Sequence, residues 1–181
     1  MRAFILVIDG FGIGAMPDCK LFNDYGANTL KNVRNAYDLN LPTLADMGLY
    51  NIDGTYNDDR QPSGAFARLE ELSKGKDTTV GHWEMAGVIT EKPFPTFPNG
   101  FPKEFMARLE KACGTKFLCN KPYSGTEVIK DYGKEHIETG YPIIYTSADS
   151  VLQIATHSSK YTVEQLYDMC EKARKLCTGK Y

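Results

Sequence analysis

The chain has no marked excess of either charge. Its 21 Lys and Arg residues stand against 23 Asp and Glu, a net charge of −2, so the balance does not point to nucleic acid or an anionic membrane as the main partner. Long apolar runs are also missing. The opening MRAFILVIDG carries apolar residues only from Ala3 to Ile8 before Asp9 ends the run, which is too short for a signal peptide or a membrane span. There is no internal repeat and no low-complexity tract. The five cysteines, Cys19, Cys113, Cys119, Cys170 and Cys177, are odd in number and include no C-x-x-C pair. Cys170 and Cys177 fall on one predicted helix, about 10 Å apart along its axis, beyond the reach of a disulfide. Idle or buried thiols in a reducing cytoplasm are the expectation. Histidine is scarce, with only His82, His136 and His157, and the last two read as surface or packed residues rather than ligands. What remains is 42% hydrophobic and 24% charged over 181 residues, enough for one generous domain or two small ones with a sizeable core.

FILVID reads as a fully buried strand, because it is short, β-branched and followed by Gly10 and Gly12. In α/β folds such a strand delivers a functional side chain at its carboxyl end, here Asp9. ANTLKNVRNAY is predicted helical, with Asn28 as N-cap and Leu30, Val33 and Ala36 on one buried face. LPTLADMGL reads as a short helix entered through Pro42 and closed by Gly48. AFARLEEL favours a strand weakly. EKPFPTFPNGFP, rich in proline, marks a boundary or a crossover. Beyond it, KEFMARLEKAC is an amphipathic helix and GTEVIKDYGKEHIETG a helical segment with a turn. Ile143 to Thr146 is a strand, and TVEQLYDMCEKARKLC is a helix capped by Thr162 with Val163, Leu166, Cys170, Ala173 and Cys177 on one stripe. The expected division is a core piece, residues 1–92, and an α+β piece, residues 93–181.

Three clusters could carry chemistry. Asp9, a carboxylate ending an apolar strand beside glycines, suits a hard divalent cation; it could equally start a turn. In SKGKDTTVGHWEMAG, Thr78 and Thr79 follow Lys76 and Asp77 where a helix begins. One reading makes Asp77 or a threonine the helix cap. The other makes a threonine the nucleophile, its phosphoryl group facing backbone N–H groups and the positive helix end, with Lys76 as a nearby cation and His82 and its neighbours in support. In YTSADS, the hydroxyls and Asp149 could hydrogen-bond a sugar or a phosphate, or the segment could be a polar turn capping the next helix.

Taken together, RAFILVIDGFGIGAMPD, GANTL, LPTLADMGL, SKGKDTTVGHWEMAG and SGTEVIKDYGKEHIETGYPIIYTSADSVLQIATH resemble the bacterial phosphopentomutases of the alkaline phosphatase superfamily. The cofactor-independent phosphoglycerate mutases share the Asp-Gly opening and a VGH segment, but not YTSADSVLQIA. The resemblance implies an α/β fold, with a parallel-sheet core of the alkaline phosphatase type and an α+β cap. It implies interconversion of ribose or deoxyribose 1-phosphate with the 5-phosphate, through a phosphorylated threonine that matches Thr78 rather than Thr79. It implies two manganese ions, with Asp9 and Thr78 among their ligands and Lys76 and His82 close by. Ser147, Asp149 and Val151 match the substrate-facing segment of the cap. The family's other metal ligands, including an Asp-His pair, have no counterpart, since no Asp-His dipeptide occurs here. The resemblance thus implies an incomplete core, residues 1–92, and most of a cap, residues 93–181, with the chain inactive alone and a complementing C-terminal half as a candidate partner. A different metal-dependent phosphomutase or phosphatase, and a non-catalytic sugar-phosphate-binding fragment, are the alternatives.

Overall fold

A computed structural model describes residues 2–56, 59–147 and 149–181. The chain is mixed α/β and divides into two compact units, residues 1–71 and 72–181. The second unit therefore takes in the Lys76-Asp77-Thr78 segment together with everything beyond residue 93.

In the first unit the helices follow their local signals. Helix α1, Thr29–Ala36, is capped by Asn28, whose side chain accepts from the Lys31 N–H at 2.9 Å. Only Leu30 of the predicted face is buried; Val33 and Ala36 are exposed. Helix α2, Pro42–Asp46, starts with proline in its first turn and is followed by Gly48 at φ 110°. The expected opening strand is not formed. Residues 2–8 make no ladder pairing, and Phe4 and Leu6 are 88% and 87% exposed. A strand buried on both faces needs neighbours on both edges and a layer on each side, and the described residues of this unit include no strand at all. AFARLEEL likewise forms no strand. The segment after Asp9 is nonetheless anchored. Thr29 Oγ1 donates to the Gly10 carbonyl at 2.9 Å, the Leu30 N–H to Gly12 at 3.2 Å, and Arg68 Nη2 to the Ile13 carbonyl at 3.0 Å.

The second unit contains the sheet. Helix α3, Thr78–Met85, comes first, then α4, Lys103–Cys113, strand β1, Leu118–Pro122, α5, Gly125–Thr139, β2, Ile143–Thr146, β3, Gln153–Ala155, and α6, Val163–Leu176. Strand β2 is central, parallel to β1 and antiparallel to β3, with Ile143 opposite Leu118 on one side and Ala155 on the other. Alternation along β2 fills two cores. Ile144 joins Phe101, Phe105, Met106, Leu109 and Ala173 under α4 and α6, while Ile143 and Tyr145 pack with Val128 of α5. Helix α5 runs without a break and ends at Gly140, φ 75°. Thr162 and Gln165 form a capping box at the start of α6. The inward face of α6 keeps Leu166, Ala173 and Cys177 of the predicted stripe but not Val163 and Cys170. Met169 and Ala173 are buried while Val163 and Cys170 are exposed, because contact with α4 turns the helix onto the face carrying Leu166, Met169, Ala173 and Leu176.

The cysteines are all free thiols, and burial pushes Cys113 and Cys177 above their ordinary value. His136 is buried at 2% exposure. Its Nε2 accepts from the His157 N–H at 2.9 Å, so Nδ1 carries the proton and donates to the Tyr141 carbonyl at 2.7 Å. It is a packed residue, as expected. Among the described residues no helix is long and apolar enough to cross a membrane.

Candidate active site

Thr78 opens α3 one residue after the N-cap, which is Asp77. Asp77 Oδ1 accepts from the Thr79 N–H at 2.8 Å and the Val80 N–H at 3.3 Å. The capping reading therefore holds, and it falls on the aspartate, leaving Thr78 exposed at the positive end of the helix. Since Thr79 and Val80 already donate to Asp77, their N–H groups do not form the anion cradle that a threonine nucleophile at a helix start leads one to expect. His82 Nδ1 lies 2.7 Å from the Thr78 carbonyl, one turn back along the helix. It braces the Thr78 backbone through the carbonyl rather than the hydroxyl. Lys76 is exposed beside them.

The approach to α3 is held from three sides. The Glu84 carboxylate accepts from the Leu72 and Ser73 N–H groups, both at 2.7 Å. Those donors, Leu72 first and then Ser73, hold the Glu84 carboxyl below its ordinary value of 4.5. Ser73 Oγ accepts from the Thr90 N–H at 3.0 Å, and the Lys74 N–H donates to the Thr90 carbonyl at 2.8 Å. Gly75 then turns the chain at φ 100°, and a Cβ there would sit 2.9 Å from Pro93 Cβ.

The other predicted residues of this unit sit where β2 ends. Thr146, 1% exposed, donates through Oγ1 to the Val151 carbonyl at 2.7 Å and closes the turn. Ser147 Oγ accepts from the Asp149 N–H at 3.2 Å. The segment is a polar turn, as expected, but it leads into strand β3 and caps no helix, and it leaves Ser147, Asp149 and Val151 partly exposed. Val151 also lines an open cavity of about 400 Å³ with Trp83, Phe94, Phe101 and Arg174.

What joins the two halves of this site is a contact between residues 73 apart in sequence. Asp77 Oδ2 accepts from the Ser150 N–H at 2.8 Å and from the Ser150 hydroxyl. Partial burial pushes the Asp77 carboxyl up, but the donors of Ser150, Val80 and Thr79 outweigh it and hold the group below its ordinary 3.8. The start of α3 and Ser150 are therefore side by side. Asp9 belongs to the first unit, where it is exposed. Among the described residues no group of three or more His, Cys, Asp or Glu side chains could hold a metal ion, so the residues present do not compose a two-manganese site.

The site thus defined pairs an exposed threonine at a helix start with a hydroxyl-rich turn at the carboxyl end of a strand. Such an arrangement suits a protein that handles a small oxygen-rich ligand. The comparisons with known proteins narrow the class. The chain is 54% identical to a phosphopentomutase of Lachnoclostridium phytofermentans over 98% of its own length and 46% of the relative's. It is 53% identical to that of Acetivibrio thermocellus over 99% and 47%, and 48% identical to that of Deinococcus radiodurans over 100% and 48%. No family model matches the chain. Nearly the whole chain is therefore homologous to phosphopentomutases, as its motifs indicate, and it spans about half the length of the curated relatives it matches.

Proposed function

We propose that the chain is the portion of a phosphopentomutase that carries the phosphoryl-accepting threonine, Thr78, and the sugar-facing turn of Ser147, Asp149 and Val151. The observation that supports this most strongly is the Asp77–Ser150 contact, which sets the exposed end of α3 against that turn. The homology supplies the reaction: relatives of this name at 48–54% identity are isomerases, and the name implies a pentose phosphate.

In this reading phosphorylated Thr78 donates its phosphoryl group to a hydroxyl oxygen of a ribose or deoxyribose monophosphate. The Thr78 Oγ–P bond breaks and a sugar O–P bond forms, giving the bisphosphate. The proton lost by the sugar hydroxyl returns to the Thr78 oxygen over the exchange. The second half runs in reverse from the other end of the sugar, so the phosphate has moved between the 1- and 5-positions and Thr78 is phosphorylated again. Ser147 and Asp149 orient the sugar hydroxyls, Val151 packs beside the ring, and Lys76 offsets phosphate charge. Positioning and charge neutralisation carry most of such a transfer. A manganese pair would supply the bulk of that neutralisation. Asp9 and Thr78 are its candidate ligands here, and the remaining donors would come from the half of the relatives' length that this segment does not span. The five free thiols fit a reducing compartment, which we take to be the cytoplasm.

The test is complementation. The chain is assayed for ribose 1-phosphate to 5-phosphate interconversion with Mn²⁺, alone and co-expressed with the remaining length of the Acetivibrio thermocellus relative. Turnover only in the co-expressed sample, abolished by Thr78→Ala, is the expected result. Turnover by the chain alone, or a fully active Thr78→Ala complex, would overturn the reading.

A further inference from the structure

We propose that Asp77 is a positioning residue, a two-handed carboxylate that couples the sugar-facing turn to the Thr78 end of α3 by holding Ser150 with one oxygen and the first helical N–H groups with the other. The role rests on the phosphopentomutase reading, but the contact it describes stands on geometry alone.

The two oxygens are divided between the two jobs. Oδ1 takes the Thr79 and Val80 N–H groups, and Oδ2 takes the N–H and hydroxyl of Ser150. A helix cap uses one oxygen only, so asparagine and serine cap as well as aspartate does. Accepting from two further donors at the second oxygen requires a carboxylate, because an amide presents an NH₂ group there. The identity of residue 77 is therefore set by Ser150 and not by the helix. The partner is equally constrained. Ser150 follows Asp149 by one residue and precedes Val151, so a sugar that shifts the turn pulls on Asp77, and Asp77 pulls on the residues either side of the Thr78 hydroxyl. The same four donors disperse the negative charge of Asp77, which lets a carboxylate sit next to a threonine that becomes an anion. Ser147 and Asp149 are thereby tied to the reacting oxygen without touching it.

Asp77→Asn separates the two jobs, since it keeps the cap and replaces the second acceptor by a donor. Amide hydrogen exchange and ¹H–¹⁵N shifts are recorded on the full chain, wild type and Asp77→Asn, with ribose 5-phosphate as the probe. In the variant the Ser150 amide is expected to exchange about tenfold faster or more, the factor that a charge-assisted bond is worth. The Thr79 and Val80 amides should stay within about threefold, as a retained cap requires. Ribose 5-phosphate should move the amides of 147–151 and of 78–80 together in the wild type, and only those of 147–151 in Asp77→Asn. Ser150→Thr, which keeps the hydroxyl, should preserve that coupling, and Ser150→Ala should weaken it. Unchanged Ser150 exchange in Asp77→Asn, or α3 amides that still follow the ligand in that variant, would overturn the role while leaving the mutase reading in place. A wild-type chain in which ribose 5-phosphate moves no amide would overturn the sugar-phosphate reading and the role with it.

Discussion

Replacing Gly75 by alanine tests how the approach to Thr78 is built. Gly75 sits at φ 100°, and a Cβ there would lie 2.9 Å from Pro93 Cβ and 3.4 Å from Pro93 Cα. The left-handed backbone alone costs an L-residue about 1–2 kcal/mol. The contact adds to it, because proline is a rigid ring and cannot swing away as the tip of a long side chain would; overpacking of this kind costs about 1–3 kcal/mol. The sum is about 2–5 kcal/mol. Gly140 is the internal control: it has φ 75° and nothing within 4 Å of its would-be Cβ, so Gly140→Ala carries the backbone cost only. Thermal and urea unfolding of both variants should place Gly75→Ala below Gly140→Ala by at least about 1 kcal/mol, a few degrees in Tm. Because residues 72–74 are held by Glu84 and Thr90, the strain is relieved toward Lys76 and Asp77, and the Thr79 and Val80 amides should lose protection in Gly75→Ala alone. Equal destabilisation by the two substitutions would refute the close approach of Pro93, and with it the account of how this loop is held.

Other outcomes follow from the same geometry. Glu84 ionises near 4.5 when unfolded and lower when folded, so its stabilising effect is complete above about pH 4.5 and is lost as pH falls through the lower folded value. Urea midpoints between pH 7 and pH 3 should fall more steeply in the wild type than in Glu84→Gln. Phe105→Ala empties a fully buried position under α4 and α6 and should cost about 3–5 kcal/mol in chemical denaturation. Cys113 and Cys177, held protonated by burial, should react with iodoacetamide at pH 7.5 well below the rate of an unfolded-state thiol, and at that rate once urea is added.

Elements with local signals were legible residue by residue. Asn28 and Thr162 each accept a first-turn N–H, and Ile143–Thr146 forms the strand its apolar run predicts. Elements that depend on neighbours were not. FILVID carries every mark of a buried strand, yet burial is supplied by flanking strands, and none pairs with it among the described residues. The stripe of α6 depends on where α4 lies, which a periodicity of its own residues does not encode. The site divides in the same way. A cap beside Thr78 was visible in the Asp-Thr-Thr spacing, and a polar turn was visible in YTSADS. The bond between them spans 73 residues and left no local trace except that residue 77 is a carboxylate where a serine or asparagine would cap as well. The Glu84 clamp on Leu72 and Ser73 was hidden for the same reason, since its donors are backbone groups that any residue would supply.

The central claim is that Thr78 carries the phosphoryl group, and phosphopeptide mapping during turnover tests it most directly. The complemented protein is acid-quenched while it converts ribose 1-phosphate, digested and sequenced by tandem mass spectrometry. The account predicts phosphate on Thr78 and none on Thr79. Turnover with Thr78 unmodified, or with the phosphate on Thr79, would contradict it.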